Sequence, residues 1–468
     1  MSVPQDIRAV PRPKNTVVTD TGGKGPLRYC VRARTKAVRT AKGFQPRNGK
    51  VIGHIVDGAF VPVSSRMKAK ERRTLGCALL VADLGSDLRA RLAAHLGDKD
   101  ADLVLVLASL GILHPDLGED LRAAQYKASL ASLVFPGLDL SEKSIHALYT
   151  KIGKKGADEL FRSLGQANGS DTSSYLLLMP MECPATLAAF GKDACKDNGP
   201  GLCLALQGGD TGFEPVYGRL LDMKGESLPG AATCCDTGCT LFTASEASSE
   251  SLRSLARERG LHYLVPVKRD DKLCKKLSFD DLEVVDGADT PCRKKRSPDD
   301  EYLYAFAGNP AAPAKQAQSQ TQGKKKKNKK ARENVRVFRS DVDLPLSCIP
   351  ALAHEEALWQ RILAHLAPLL LSACSLKERE REGAGLVFLV TALVLRRIVQ
   401  RAHDTGLLGK THMGRILAAL GLLQCHVEKG EPDSWSCSDF RPALSCETAS
   451  MLQKLGFTLP EVAEDKPI

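Results

Sequence analysis

Seventeen lysines and arginines stand against four aspartates and glutamates in residues 1–75, although the whole chain has a net charge of only +11. The rest of the chain is therefore close to neutral. A basic segment broken by glycines and prolines suits contact with a phosphate backbone. Within it Arg12, Lys14, Lys24, Arg28, Arg32 and Arg34 are the candidates, and Lys268 and Arg269, at the end of a later apolar strand, are two more. The fifteen cysteines offer softer chemistry. Cys234, Cys235 and Cys239 form one group, and Cys425, His426, Cys437 and Cys446 a looser one. Neither has the paired CxxC spacing of a zinc knuckle, so most of these thiols read as small apolar fillers in a reducing compartment. Gly22 to Gly25, with Lys24 between, lacks the preceding strand and the Lys-Ser/Thr ending of a phosphate-binding loop.

The elements that must position these groups follow from the patterning. Residues 1–65 read as extended segments joined by turns, with a break at Gly22–Pro26 and hairpin signals at Asn48-Gly49 and Asp57-Gly58. Residues 66–165 carry helical spacing, for example over Leu88–His95 and Ser141–Leu164. Short apolar strands then follow: Tyr175–Met179, Gly201–Gln207, Glu214–Leu221, a cysteine-rich strand between Ala231 and Thr243, and His262–Val267. A helix over Ser248–Arg259 separates the last two. Three strands followed by strand–helix alternation fit a mixed α/β sheet of the RNase H type. Further strands are expected at Tyr302–Ala307 and Val335–Arg339. Between them lies a low-complexity loop with the run KKKKNKK, Lys324 to Lys330. Beyond Ser347 the pattern is helical: Ala353–Ala367 up to Pro368, then Leu376–His403, then a terminal pair after Lys410. The run from Gly383 to Leu395 is too short to span a bilayer and reads as a buried helix. With no apolar leader at its start, the chain is expected in the cytoplasm, at the nucleoid when bound to DNA.

Four blocks, in order, resemble insertion-sequence transposases of the family-four lineage, enzymes of the DDE type. They are RPKNTVVTDTGGKGPLRYCVRAR (Arg12–Arg34) with NGKVIGHIVDGAFVPV (Asn48–Val63); Phe213 to Val216; LHYLVPVKRDDKL (Leu261–Leu273) with YLYAF (Tyr302–Phe306); and LRRIVQRAHDTGLL (Leu395–Leu408). The resemblance implies an α/β architecture: an RNase H-like mixed sheet over 171–375 with a β-rich insertion at 268–345. A basic β arm (1–65) and a helical region that helps to grip DNA (66–170) precede it, and a helical tail (376–468) follows. It also implies duplex DNA as partner, with neither a membrane nor a small-molecule substrate. A homodimer is one option for the assembly.

The family cuts and joins DNA with two Mg²⁺ ions held by Asp, Asp and Glu, because hard cations take oxygen ligands and a metal pair clamps the attacking and leaving oxygens. This chain departs at each ligand. Met179 stands where the first Asp should close its strand, and a thioether is a poor ligand for Mg²⁺. The second position falls on Ser245 by spacing or on Asp236 by the Asp-x-Gly order. Along the last helix His354, Ala357 and Arg361 match the family's Tyr, Arg and Glu, and a guanidinium repels a cation. The replaced ligands imply that no Mg²⁺ is bound here. The expected function is that of a transposase-type DNA-binding protein impaired in strand cleavage. The alternatives are an active enzyme with ligands relocated to Glu182, Asp236 and Glu355, Glu356 lying beside the last, or a non-enzymatic interaction protein on the same scaffold.

Overall fold

The computed structural model describes residues 3–23, 28–40, 43–62, 71–156, 174–180, 200–209, 212–222, 239–243, 249–268, 283–284, 291–297, 300–307, 335–374, 376–408, 412–429, 435–441 and 445–457. The chain divides into two compact units, Met1–Arg73 with Gln424–Ala443, and Thr74–Leu423 with Leu444–Ile468.

The first unit opens with a short helix α1 (Gln5–Ala9) and an antiparallel sheet of β1 (Thr16–Asp20), β2 (Tyr29–Thr40), β3 (Gly43–Val56) and β4 (Ala59–Pro62), ordered β1-β2-β3-β4. Strand alternation sends Val18, Val31 and Ile55 to one face, where they bury with Val10 against Ile7, Tyr29 and Phe60. The β3–β4 hairpin forms at Asp57-Gly58 as expected, with φ of +49° and +74°. Positive φ at both central residues is the twist-matched hairpin geometry, and glycine adopts it without strain. Asn48-Gly49 is not a turn. β3 runs straight through it, and the extra residues are taken up by register shifts against β2, between Arg32↔Val51 and Arg34↔Asn48. A second, three-stranded sheet joins β5 (Glu71–Thr74) to a hairpin from late in the chain, in the order β16-β15-β5. That hairpin, β15 (Gln424–Lys429) and β16 (Trp435–Arg441), interrupts the helical tail.

The second unit begins with helices α2 (Ala78–Leu84), α3 (Ser86–Leu96), α4 (Asp98–Leu113), α5 (Glu119–Ala128), α6 (Ala131–Val134) and α7 (Glu142–Lys155). α4 is buried on nearly all sides from Ala101 to Ile112. α7 is amphipathic and starts at Ser141, whose hydroxyl accepts from Ser144 N at 3.4 Å. In the tail, α10 (Glu378–Asp404) is buried continuously from Gly383 to Arg396, and α11 (Met413–Leu422) and α12 (Cys446–Lys454) follow. α7 and α10 cross at backbone contact. A Cβ on Gly153 would lie 2.1 Å from Arg379 O, and one on Gly383 would lie 2.0 Å from Tyr149 O.

The strands expected around the sheet form within about two residues of their sequence positions: β6 (Ser174–Pro180), β7 (Pro200–Gly209), β8 (Gly212–Asp222), β10 (His262–Pro266), β13 (Tyr302–Ala307) and β14 (Val335–Ser340). The cysteine-rich strand is described only at β9 (Thr240–Phe242), and two strands had no sequence expectation, β11 (Glu283–Val284) and β12 (Pro291–Arg296). All nine join one sheet in the order β11-β12-β13-β14-β10-β9-β6-β7-β8. β9 lies parallel to both β6 and β10, and the other pairings are antiparallel. Helix α8 (Ser249–Arg259) links β9 to β10 and packs Leu252, Leu255 and Ala256 on Leu241, Tyr263 and Val265.

Helix α9 (Cys348–Cys374) corrects an expectation, since it continues through Pro368. An interior proline costs about 3 kcal/mol through a lost hydrogen bond and a ring clash. Leu366 and Leu370, with Ala367 and Ala373, are buried on both sides of it. At roughly 1.5–3 kcal/mol for each leucine, that burial outweighs the break. Among the described residues no helix is long and apolar enough to cross a membrane.

Candidate functional site

β6, β9 and β10 run in one direction, so their carboxyl ends share one edge of the sheet. The β6–β9 register pairs Tyr175 with Thr240 and Leu177 with Phe242, and Met179 pairs on the other side with Leu202. Met179 therefore sits two residues beyond the last β9 pairing, at that carboxyl edge. Glu182, Asp236 and Ser245 lie outside the described residues. In chain order Asp236 precedes β9, and Ser245 follows it.

α9 carries the third expected position. At 100° per residue His354 and Arg361 fall on nearly the same face, and both are exposed. Arg361 Nε donates to Ala357 O of its own helix at 3.2 Å. Glu355 and Glu356 turn the other way and are buried, 7% and 2% exposed. One Glu355 oxygen, Oε1, accepts from Trp359 Nε1 at 2.8 Å and from Arg396 Nε at 2.6 Å. Arg396 also donates to Phe213 O at 2.5 Å. The pair thus ties α9, α10 and β8 together inside the core. Glu356 Oε1 accepts from Gln360 Nε2 at 3.3 Å. Neither carboxylate faces the exposed side of α9, and Glu355 is engaged by Arg396.

The cations of the first unit divide by their engagements. Arg28 is taken up by Asp20, with Nε–Oδ1 3.1 Å and Nη2–Oδ2 2.9 Å, and this hydrogen bonding holds the Asp20 carboxyl below the usual range. Arg12 donates to Arg8 O at 2.6 Å and Val10 O at 3.1 Å, bracing the chain entering β1. Arg32 and Arg34 alternate with Val31 on β2, so they stand on the sheet face opposite the apolar core. Arg32 is half-buried and reaches Gly49 O at 3.4 Å, while Arg34 and Lys14 are exposed. In the second unit Lys268 is exposed just beyond β10. Lys24 and Arg269 lie outside the described residues.

Several cysteines behave as apolar fillers. Cys77 is fully buried, donates to Ser109 O at 3.0 Å, and burial pushes its thiol up to about 12. Cys292 is pushed up to about 11 by the same cause. Cys425 is buried and Cys446 exposed. Cys234, Cys235 and Cys437 have no described side chains.

One cluster was missed in the sequence reading. His146 on α7 has Nε2 3.0 Å from Glu119 Oε2 on α5 and Nδ1 3.5 Å from Glu380 Oε1 on α10. Arg122, 6% exposed, reaches Glu119 Oε1 at 3.2 Å and the Tyr149 hydroxyl at 3.4 Å. Burial opposes protonation of His146, but the bonds and charges of Glu119 and Glu380 outweigh it and hold the imidazole above its ordinary value. The one local signal was Glu142 and His146, four apart on an expected helix and so on one face. Beside the cluster, Leu107, His114, Phe388 and Thr391 line a cleft of about 30 Å³ that reaches Glu119, Arg122 and Tyr149.

No protein-family model and no curated protein matches this chain.

Proposed function

We propose that this chain is a DNA-binding protein on a transposase-type, RNase H-like scaffold, and that it does not cleave strands by the two-metal route. The observation that carries the reading is the strand order β8-β7-β6-β9-β10, with β9 parallel to both its neighbours and α8 between β9 and β10. That is the order of an RNase H-like core. β11–β14 extend it before α9, where the resemblance expects an insertion. The basic face of β2 supplies the surface for a phosphate backbone. Against cleavage stand Met179 at the carboxyl edge of the sheet and Arg361 on the exposed face of α9. Chain order favours Ser245 over Asp236 as the residue at the second position, and Glu355 is committed to Arg396.

The test is binding of the full chain to duplex DNA across a salt series. Log affinity should fall linearly with log salt, and Arg32→Glu with Arg34→Glu should flatten the slope by about 0.9 for each phosphate that is no longer neutralised. Affinity indifferent to both salt and these substitutions would remove the DNA reading. Nicking of duplex DNA in Mg²⁺ or Mn²⁺ would remove the claim that cleavage is absent.

A further inference from the structure

The cluster around His146 holds more acid than its cations balance. Three carboxylates, Glu119, Glu142 and Glu380, gather around the His146 imidazole, and Glu119 also takes the Arg122 guanidinium. With a neutral imidazole the group carries a charge near −2, in a place where Arg122 is buried and Glu119, His146 and Glu380 are only partly open to water. The two units of negative charge are what one divalent ion would neutralise.

The geometry agrees with the charge. Glu119, Glu142 and His146 each offer one donor atom, and these atoms all lie within 4.8 Å of one another. Bonds of about 2.0–2.2 Å to a central ion need donors roughly 3–4.4 Å apart, so the set closes around an ion with small side-chain adjustments. The donors come from two helices, Glu119 from the start of α5 and Glu142 with His146 from one face of α7. Their partners are already aligned. Glu380 Oε1 faces His146 Nδ1 at 3.5 Å and fixes which ring nitrogen is free to ligate. Arg122 holds Glu119 Oε1 and leaves Oε2 turned to the imidazole. A carboxylate behind a ligating histidine and a hydrogen-bond donor behind a ligating carboxylate are the outer contacts that orient metal ligands.

We propose that Glu119, Glu142 and His146 bind a divalent first-row transition-metal ion, with Glu380 and Arg122 as positioning residues. One nitrogen and two oxygens suit Zn²⁺ or Mn²⁺. Three protein donors leave the remaining positions to water, entering past the exposed Glu142. The ion joins α5 to α7 directly and reaches α10 through Glu380. This site is independent of the sheet edge at Met179 and does not rest on the DNA reading.

Manganese is the discriminating probe, because the cysteines of this chain compete for zinc but are poor ligands for Mn²⁺. The full-length protein is stripped with chelator and titrated with Mn²⁺ alone, following loss of the free-ion signal by electron paramagnetic resonance. The expected result is one tightly held equivalent per chain, with a rise in melting temperature. Glu142→Gln, at an exposed position that leaves folding intact, and His146→Gln should each abolish that equivalent. Glu380→Gln should keep the stoichiometry and weaken binding about 10–100-fold. Less than one equivalent in the wild-type protein, or binding unchanged in Glu142→Gln, overturns the site.

Discussion

Two groups of buried and half-buried charge in the second unit are built on opposite plans. Between α9 and α10, Glu355 meets Arg396, and the indole of Trp359 and the Phe213 carbonyl take up further hydrogen bonds. Around His146, by contrast, three carboxylates gather, Glu119, Glu142 and Glu380, and Arg122 bonds only to Glu119 among them. Matched charge behind closed walls acts as a fastener. The acid gathered at the opening around His146 is where the metal ion is proposed to bind. The difference shows why a carboxylate's position on a helix decides little until its neighbours are known. Glu355, a candidate ligand by sequence, is paired with Arg396, whereas Glu119 stands beside His146.

The largest loss is expected at the matched pair. Arg396→Met should leave Glu355 buried without its cation and cost about 3–5 kcal/mol in chemical denaturation. The double change Glu355→Met with Arg396→Met should recover most of that loss, because it removes both desolvated charges. A double variant as unstable as the single one would mean that the pair contributes more than mutual neutralisation. Next is Gly383→Ala, whose new methyl would overlap the Tyr149 carbonyl. Forcing α7 from α10 should cost about 1–3 kcal/mol, and it should weaken Mn²⁺ binding by separating Glu380 from His146. Loss of stability with unchanged Mn²⁺ affinity would detach the metal proposal from this helix crossing.

A smaller effect is expected at Asp87, paired with Arg397 at 2.5 and 2.9 Å and half exposed. Burial opposes its ionisation, but the hydrogen bonds and charge of Arg397 prevail and hold its carboxyl below the ordinary 3.8. A depressed carboxyl stabilises the fold above its unfolded value and loses that contribution as pH falls through that value toward the folded one. Asp87→Asn should therefore cost at most about 1 kcal/mol at neutral pH, and the difference from wild type should shrink in acid. A gap that widens as pH falls would contradict that sign. Smallest of all is Arg28→Ala. The Arg28 side chain is itself 43% exposed and Asp20 keeps its bond from Gly22 N, so no change in melting temperature should be detectable.

Much of the sheet was legible because its signals are local. Asp57-Gly58 announces a hairpin, and apolar runs such as Tyr175–Met179 and Tyr302–Ala307 fall on strands β6 and β13. Where distant packing overrides local preference, reading along the chain failed. Pro368 should stop a helix, but buried leucines on either side carry α9 past it. Asn48-Gly49 should turn, yet its neighbours pair along β2. β12, with the run Arg293 to Arg296, lacks the apolar pattern of a strand and is recruited by pairing with β13. The His146 cluster was hidden for the same reason. Only Glu142 is near His146 in sequence, and Glu119 and Glu380 arrive through helix packing that no periodicity encodes.

The strand β5 has a further consequence, which concerns time. Its sheet is completed by β15 and β16, so the first unit draws on both early and late parts of the chain. During synthesis the amino-terminal residues emerge first and fold as they can. The arm sheet β1–β4 can form at once, while β5 must wait with an open edge until residues 424–441 leave the ribosome. Most of the second unit lies between those events, so the first unit is begun before it and finished after most of it. A ribosome stalled before residue 424 should hold a chain whose β5 region is open to protease, and release beyond residue 441 should close it.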